Sequence, residues 1–99
     1  MFEKLKSALG FPTVDYNELI ANGAVLIDVR TPQEYNSGHS RKSKNIPLND
    51  IQKSAKSLKG KEVIVVCASG MRSGQAKSIL SQEGITLHYG GSWTRFKNL

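Results

Sequence analysis

Two apolar runs, interrupted only by Asp28, organise the chain. They are Ala24-Val25-Leu26-Ile27-Asp28-Val29 and Val63-Ile64-Val65-Val66, the second opening at Lys61 and leading into Cys67. Runs that are apolar at every position, rather than at every second one, predict strands covered on both faces. Around them the apolar residues fall at helical spacing: Phe2, Leu5, Ala8 and Leu9, then Ile51, Ala55 and Leu58, then Ala76, Ile79 and Leu80. Glycines punctuate these stripes at Gly10, Gly23, Gly60 and Gly84, where helices can stop. Strand and helix therefore alternate. That order predicts an α/β fold, a small, mainly parallel sheet with helices on both faces and right-handed crossovers.

The polar positions sharpen the boundaries. Asp15 and Glu18 have capping-box spacing before a short helix from Tyr16 to Asn22, and Thr31-Pro32-Gln33-Glu34 repeats the signal with proline at the first helical position. Gly38 keeps that second helix short, and Ser40 to Lys44 reads as a polar, basic loop. Asn45-Ile46-Pro47-Leu48 is at most a two- or three-residue edge strand, because Pro47 cannot donate to a ladder. Asn49 or Asp50 is placed to cap the next helix, and Ser73 the one after Cys67. Ile85 to Tyr89 is a short last strand followed by Gly90-Gly91; Ser92 then caps a final turn whose Trp93 and Phe96 plug the core.

Length and composition restrict the picture. Ninety-nine residues, of which 38% are hydrophobic, make one small domain with one core. No stretch is apolar enough to span a membrane. The Phe2–Leu9 face suits packing on the domain better than lying on a membrane, being too short to bind one alone. The start of the chain lacks the apolar run of a signal peptide, and a lone cysteine suits a reducing compartment; a cytoplasmic location is expected. Net charge is +6, from 14 basic and 8 acidic residues, which favours anionic partners. No aromatic residues interleave with the basic ones, so a solvated basic surface is the simpler reading and nucleic-acid binding is not expected.

The candidate chemistry lies at Cys67. A strand delivers its thiol to the carboxyl edge of the sheet, where sites in such folds gather. Ala68-Ser69-Gly70-Met71-Arg72-Ser73 follows, a small-residue loop that lets backbone N–H groups turn inward and runs into a helix start. A thiol at that spot should have a lowered pKa. A cysteine closing such a strand is ordinarily an inert core residue; the loop and the Arg72 cation are what such a residue does not need. Cys67 is the only cysteine, so neither an intramolecular disulfide nor a cysteine-rich metal site is available. Asp28 ends the first strand, where a lone carboxylate would be costly, and Arg30 can neutralise it; a structural ion pair is favoured over a role in tuning the site's field. His39 offers acid–base chemistry but more simply serves structure or faces solvent. His88 has no companion ligands, and no metal or cofactor is expected.

Two blocks carry a resemblance to the rhodanese-like sulfurtransferases. The first is Leu26-Ile27-Asp28-Val29-Arg30-Thr31-Pro32-Gln33-Glu34-Tyr35, with Gly38-His39 and Asn45-Ile46-Pro47-Leu48 behind it. The second is Val65-Val66-Cys67-Ala68-Ser69-Gly70-Met71-Arg72-Ser73, with Ala76, Leu80, Gly84 and Gly90-Gly91-Ser92-Trp93. The resemblance covers residues 13–97, leaving 1–12 as a helical extension. It departs from the family after Gly38-His39, where the usual apolar residue and Gly-Ala give way to Ser40-Arg41-Lys42-Ser43-Lys44. It implies a sulfurtransferase in which the Cys67 thiolate takes a sulfane sulfur from a small anionic donor, thiosulfate or a persulfide, and passes it to cyanide, a thiol or a protein acceptor. It also implies that residues 68–73 hold the persulfide and that the basic 40–44 loop lies on the rim of the site. Cysteine phosphatases and arsenate reductases share the thiolate, cradle and arginine, but their loops are one residue longer and so wide enough for a tetrahedral oxyanion. The remaining alternative is a non-catalytic rhodanese-like binding module, which tends to lose the cysteine or the loop.

Overall fold

The computed structural model describes residues 15–68, 71–81 and 85–98, and of Met71, Ser73 and Lys77 the backbone alone. The expected N-terminal helix, the Ser69-Gly70 turn and the Gly84 helix stop lie outside the described residues.

The elements alternate as the apolar pattern requires: α1 (Tyr16–Ala21), β1 (Val25–Asp28), α2 (Pro32–Ser37), β2 (Ser43–Asn45), a 3-10 turn (Leu48–Asp50), α3 (Ile51–Leu58), β3 (Glu62–Cys67), α4 (Met71–Ser81), β4 (Thr86–Ser92) and a closing 3-10 turn (Trp93–Phe96). The four strands form one parallel sheet in the order β2-β1-β3-β4. β1 and β3, the two continuous apolar runs, are the central strands.

Alternating side chains of these strands feed two separate cores. Ile27, Val29, Val63, Val65 and Cys67 pack against Ile51, Ala55 and Leu58 of α3 and Ala76 and Leu80 of α4. Leu26, Ile64 and Val66 face the other way, against Phe96 with Tyr16, Leu19, Ile20 and Trp93 around it. Helices thus cover both faces, as the apolar runs imply. Phe96 is buried and meets Tyr16 edge-on, with ring centroids 5.3 Å apart, whereas Trp93 is only half-buried at the margin of this core.

The caps behave as local chemistry dictates, with instructive exceptions. The Asp15 carboxylate accepts from the Glu18 N–H, and Thr31 and Glu34 complete a reciprocal capping box. Asp50 makes no side-chain cap: it ends the 3-10 turn in helical backbone and runs straight into α3, whereas a capping residue needs an extended one. Ser73 is the third residue of α4 rather than its cap, because the helix has already begun at Met71. β2 lies two residues earlier than the expected Asn45–Leu48 strand. Its ladder uses Ser43, Lys44 and Asn45 opposite Leu26, Ile27 and Asp28, which stops before Pro47 is reached.

The largest departure is β4. The strand does not stop at Tyr89 but continues through Gly90 and Gly91 to Ser92. Val65 pairs with Tyr89 while Val66 pairs with Gly91, so Gly90 is an extra residue in the ladder, a bulge. A Cβ on Gly90 would lie 2.7 Å from Val66 Cγ1, 3.0 Å from Ile64 Cγ2 and 3.1 Å from Phe96 Cε2. Gly91 has φ +75°, in the region that favours glycine. The pair serves close approach at Gly90 and a left-handed backbone at Gly91, and without side chains it carries no apolar pattern to read.

Candidate functional site

The carboxyl ends of the central strands converge. Cys67 is the last residue of β3, its backbone level with Ser92 of β4, and Val66 lies beside Asp28 of β1. Cys67 is fully buried, on the face that packs against α3 and α4. Only Ala68, Ser69 and Gly70 separate it from the first residue of α4. Ala68 is exposed. Eleven residues long, α4 directs the positive end of its dipole toward the loop it leaves.

Asp28 and Arg30 form a buried pair. Arg30 Nε donates to both Asp28 oxygens at 3.0 Å, its NH2 donates to Oδ2 at 2.9 Å, and its backbone N–H bonds Oδ1 at 3.0 Å. The rest of the guanidinium reaches the carbonyls of Glu34, at 3.2 Å, and Gly38, at 2.6 Å. The Trp93 ring lies beneath it, 4.4 Å from ring centroid to Cζ. Asn45 completes the knot, its Nδ2 donating to the carbonyls of Asp28 and Arg30 at 3.0 and 2.9 Å. No buried side-chain polar atom among the described residues lacks a partner. The expected structural ion pair is therefore what Asp28 and Arg30 form: it ties the β1–α2 connection to the sheet. Removing either member would strand a buried charge, at a cost of about 3–5 kcal/mol.

Arg72, the second residue of α4, grips Glu34 of α2 with both terminal nitrogens, NH1 to Oε1 at 2.5 Å and NH2 to Oε2 at 2.8 Å. Glu34 is fixed from behind as well, Oε1 accepting from the Thr31 N–H at 3.1 Å and from Thr31 Oγ1 at 3.0 Å. The Arg72 guanidinium, helped by the Thr31 N–H, holds the Glu34 carboxyl down at about 2. Arg72 is pushed up in turn, chiefly by its hydrogen bond to Glu34, and the charges of Cys67 and Asp28 act on it in the same direction. Arg72 thus joins the two sequence blocks, linking α2 to α4.

His39 is exposed and plays a structural part. Its ring stacks on Tyr35, 3.8 Å between centroids, and its Nδ1 lies 2.7 Å from the Tyr35 carbonyl, which can only accept. Tyr35 donates onward to the Ser43 carbonyl at 2.7 Å, so the stack anchors the turn into β2. The register places Arg41 and Lys42 before the amino end of β2, since Ser43 stands opposite Leu26. Both belong to the turn that the Ser43 N–H closes on the Ser40 carbonyl, at the opposite end of β2 from Asn45, which stands level with Asp28. Arg41 and Lys42 are thus set back from the rim where the resemblance placed the basic loop, while Lys44 stands level with Ile27, one residue short of Asp28. His88 pairs with Glu62 across β3 and β4, Nε2 to Oε2 at 2.9 Å. Among the described residues no group of three or more His, Cys, Asp or Glu is arranged to hold a metal. No helix among them is long and apolar enough to cross a membrane.

Two members of this region escape sequence reasoning. Glu34 announces a capping box but not its second partner, which is 38 positions away. Asn45 reads as the start of an edge strand, and nothing local signals that its amide bridges two carbonyls of the neighbouring connection.

Comparison with known proteins agrees with this architecture. Residues 13–99 match the sequence family described as Rhodanese-like domain. The chain is 43% identical over 63 residues to the thiosulfate sulfurtransferase PspE of Escherichia coli, a match spanning 61% of each chain. It is 37% identical over 67 residues to the protein YqhL of Bacillus subtilis, spanning 67% of this chain and 53% of that one. Both matches cover less than two thirds of the relative's length. Among solved structures, a rhodanese with anions from E. coli superposes with a TM-score of 0.67 at 37% identity, covering 73% of this chain and 89% of that one.

Proposed function

The chain belongs to the rhodanese-like domain family, and from that membership we propose that it is a sulfurtransferase whose sulfur carrier is Cys67. The observation that carries this reading is the placement of Cys67. It closes the central parallel strand β3 at the carboxyl edge of the sheet, and three residues later a helix begins. An anion formed at that sulfur lies before the helix start and within the field of Arg72.

The chemistry then follows in two balanced steps. The Cys67 thiolate attacks the outer sulfur of thiosulfate; an S–S bond forms to Cys67, the donor's S–S bond breaks, and sulfite leaves with the bonding pair. The product is a Cys67 persulfide anion. A thiophilic acceptor, cyanide or a thiolate, next attacks the terminal sulfur, and Cys67 departs as thiolate. No proton needs to be moved by a side chain, because the nucleophile and the leaving group are both anionic. The backbone N–H groups from Ala68 to the first turn of α4, which includes Met71, Arg72 and Ser73, are the ones that would hold the terminal sulfur. The donor is a small sulfane-sulfur compound and the acceptor a thiol or protein; the relative named a thiosulfate sulfurtransferase supports this class.

Complete burial of Cys67 favours one other reading, a binding module that does no chemistry. Intact mass distinguishes the two. Incubation with thiosulfate should add one sulfur atom, cyanide should remove it as thiocyanate, and Cys67→Ser should reduce both to background while keeping the circular dichroism of the parent. Absence of the adduct in the parent protein, or its persistence in Cys67→Ser, would sink the proposal.

A further inference from the structure

Arg72, the cation at the start of α4, is already answered by a fixed anion. Both terminal nitrogens of Arg72 are bound to the Glu34 carboxylate, one oxygen each. That carboxylate is not a wandering surface group: Thr31 holds it through a backbone N–H and a hydroxyl, at the start of a helix whose capping box it completes. The two side chains are about a third exposed, 32% for Arg72 and 37% for Glu34, so their charges are partly screened but open to a charged molecule in solution. Arg72 is the second residue of the helix that begins after the three residues following Cys67, so Glu34 holds the cation that stands next after the proposed carrier in the chain. Two of the five N–H groups of Arg72 are used by Glu34, and those left can still face a ligand, but the pair as a whole is neutral.

We propose that Glu34 is a specificity-determining residue: by neutralising Arg72 it sets the site against dianionic donors and in favour of donors that carry a single charge at the transferring end, thiosulfonates or thiol persulfides. This rests on the sulfurtransferase reading and deepens it. Thiosulfate and an aromatic thiosulfonate isolate the effect. In each, the Cys67 thiolate takes the outer sulfur and the S–S bond to the oxidised sulfur breaks. Sulfite leaves from the first and a sulfinate from the second. The two donors offer the same sulfane sulfur and differ by one unit of charge. An uncompensated Arg72 favours the dianion, whereas a compensated one does not.

The test measures kcat/KM for thiosulfate and for benzenethiosulfonate at low ionic strength and fixed pH, with cyanide as acceptor and intact mass as the check on sulfur uptake. Glu34→Gln, which keeps an oxygen for Thr31 but removes the charge, should raise the thiosulfate-to-benzenethiosulfonate ratio about fivefold or more, the gain shrinking as salt is added. Glu34→Asp keeps the charge and should leave the ratio within about twofold of the parent. Arg72→Gln uncovers the Glu34 carboxylate and should lower the ratio; this variant decides the matter if Glu34→Gln does not fold. A purely structural Glu34 would change both donors alike. A parent that takes up sulfur while Glu34→Gln and Arg72→Gln both leave the ratio unchanged overturns the Glu34 proposal alone. A parent that takes up sulfur from neither donor overturns the sulfurtransferase reading itself, and this proposal with it.

Discussion

At the residue scale, two arginine–carboxylate pairs share this end of the sheet and differ in what surrounds them. Asp28 and Arg30 are buried and hydrogen-bonded on all sides, whereas Glu34 and Arg72 are partly open. The first pair is legible in the sequence, since a spacing of two brings both side chains to one side of an extended segment. The second is not, because only the tertiary fold brings α2 to α4. The Glu34 pair has a consequence for pH. Its carboxyl is lowered from an ordinary 4.5 to about 2 in the folded state. A depressed carboxyl contributes stability that is present above its unfolded pKa and lost as pH falls through its folded one. Denaturant unfolding of the parent and of Glu34→Gln should therefore differ at pH 6, with the parent the more stable. The gap should close between pH 4.5 and pH 2. A gap that stays constant over that interval would mean that Glu34 acts through capping alone.

At the element scale, the apolar runs and stripes locate β1, β3, α3 and α4, because each buries enough residues to write its period into the chain. Short polar elements leave no such trace. β2 has no buried residue, and its position is fixed by the hydrogen bonds Ile46 makes to Asp28 and Leu48 to Val29 as the chain passes the end of β1. The end of β4 is hidden for another reason, since Gly90 and Gly91 read as a turn when seen without their partners. What makes them strand residues is their place beside β3, where Gly91 pairs with Val66 and a Cβ on Gly90 would meet Val66, Ile64 and Phe96. Gly90→Ala should accordingly cost about 1–3 kcal/mol by overpacking. Part of that loss should return in a Gly90→Ala, Val66→Ala double variant, because Val66 Cγ1 is the nearest obstructing atom. Equilibrium denaturation of the two single variants and the double one measures the coupling. Strict additivity would show that the strand shifts away from the contact instead.

At the scale of the whole molecule, α/β architecture was readable because alternation and covered strands follow directly from the apolar pattern. The convergence of Asp28 and Cys67 was readable because parallel strands bring their carboxyl ends to one edge. The order β2-β1-β3-β4 adds something the pattern does not contain. β1 and β3 have neighbours on both sides and a core on each face, while β2 and β4 lie at the edges. Amide exchange should expose this hierarchy. The N–H groups of Val63 to Val66 and of Leu26 to Asp28 should open only with global unfolding and exchange most slowly, whereas Ser43 to Asn45 should exchange by local fraying. Comparable rates in β2 and β3 would contradict it. Cys67 ends the strand expected to open last, and the ion pairs near it tie the β1–α2 connection to the sheet and α2 to α4. A sulfur carried there would be held by a part of the protein that opens only with global unfolding, so the carrier stays in place while donor and acceptor come to it in turn.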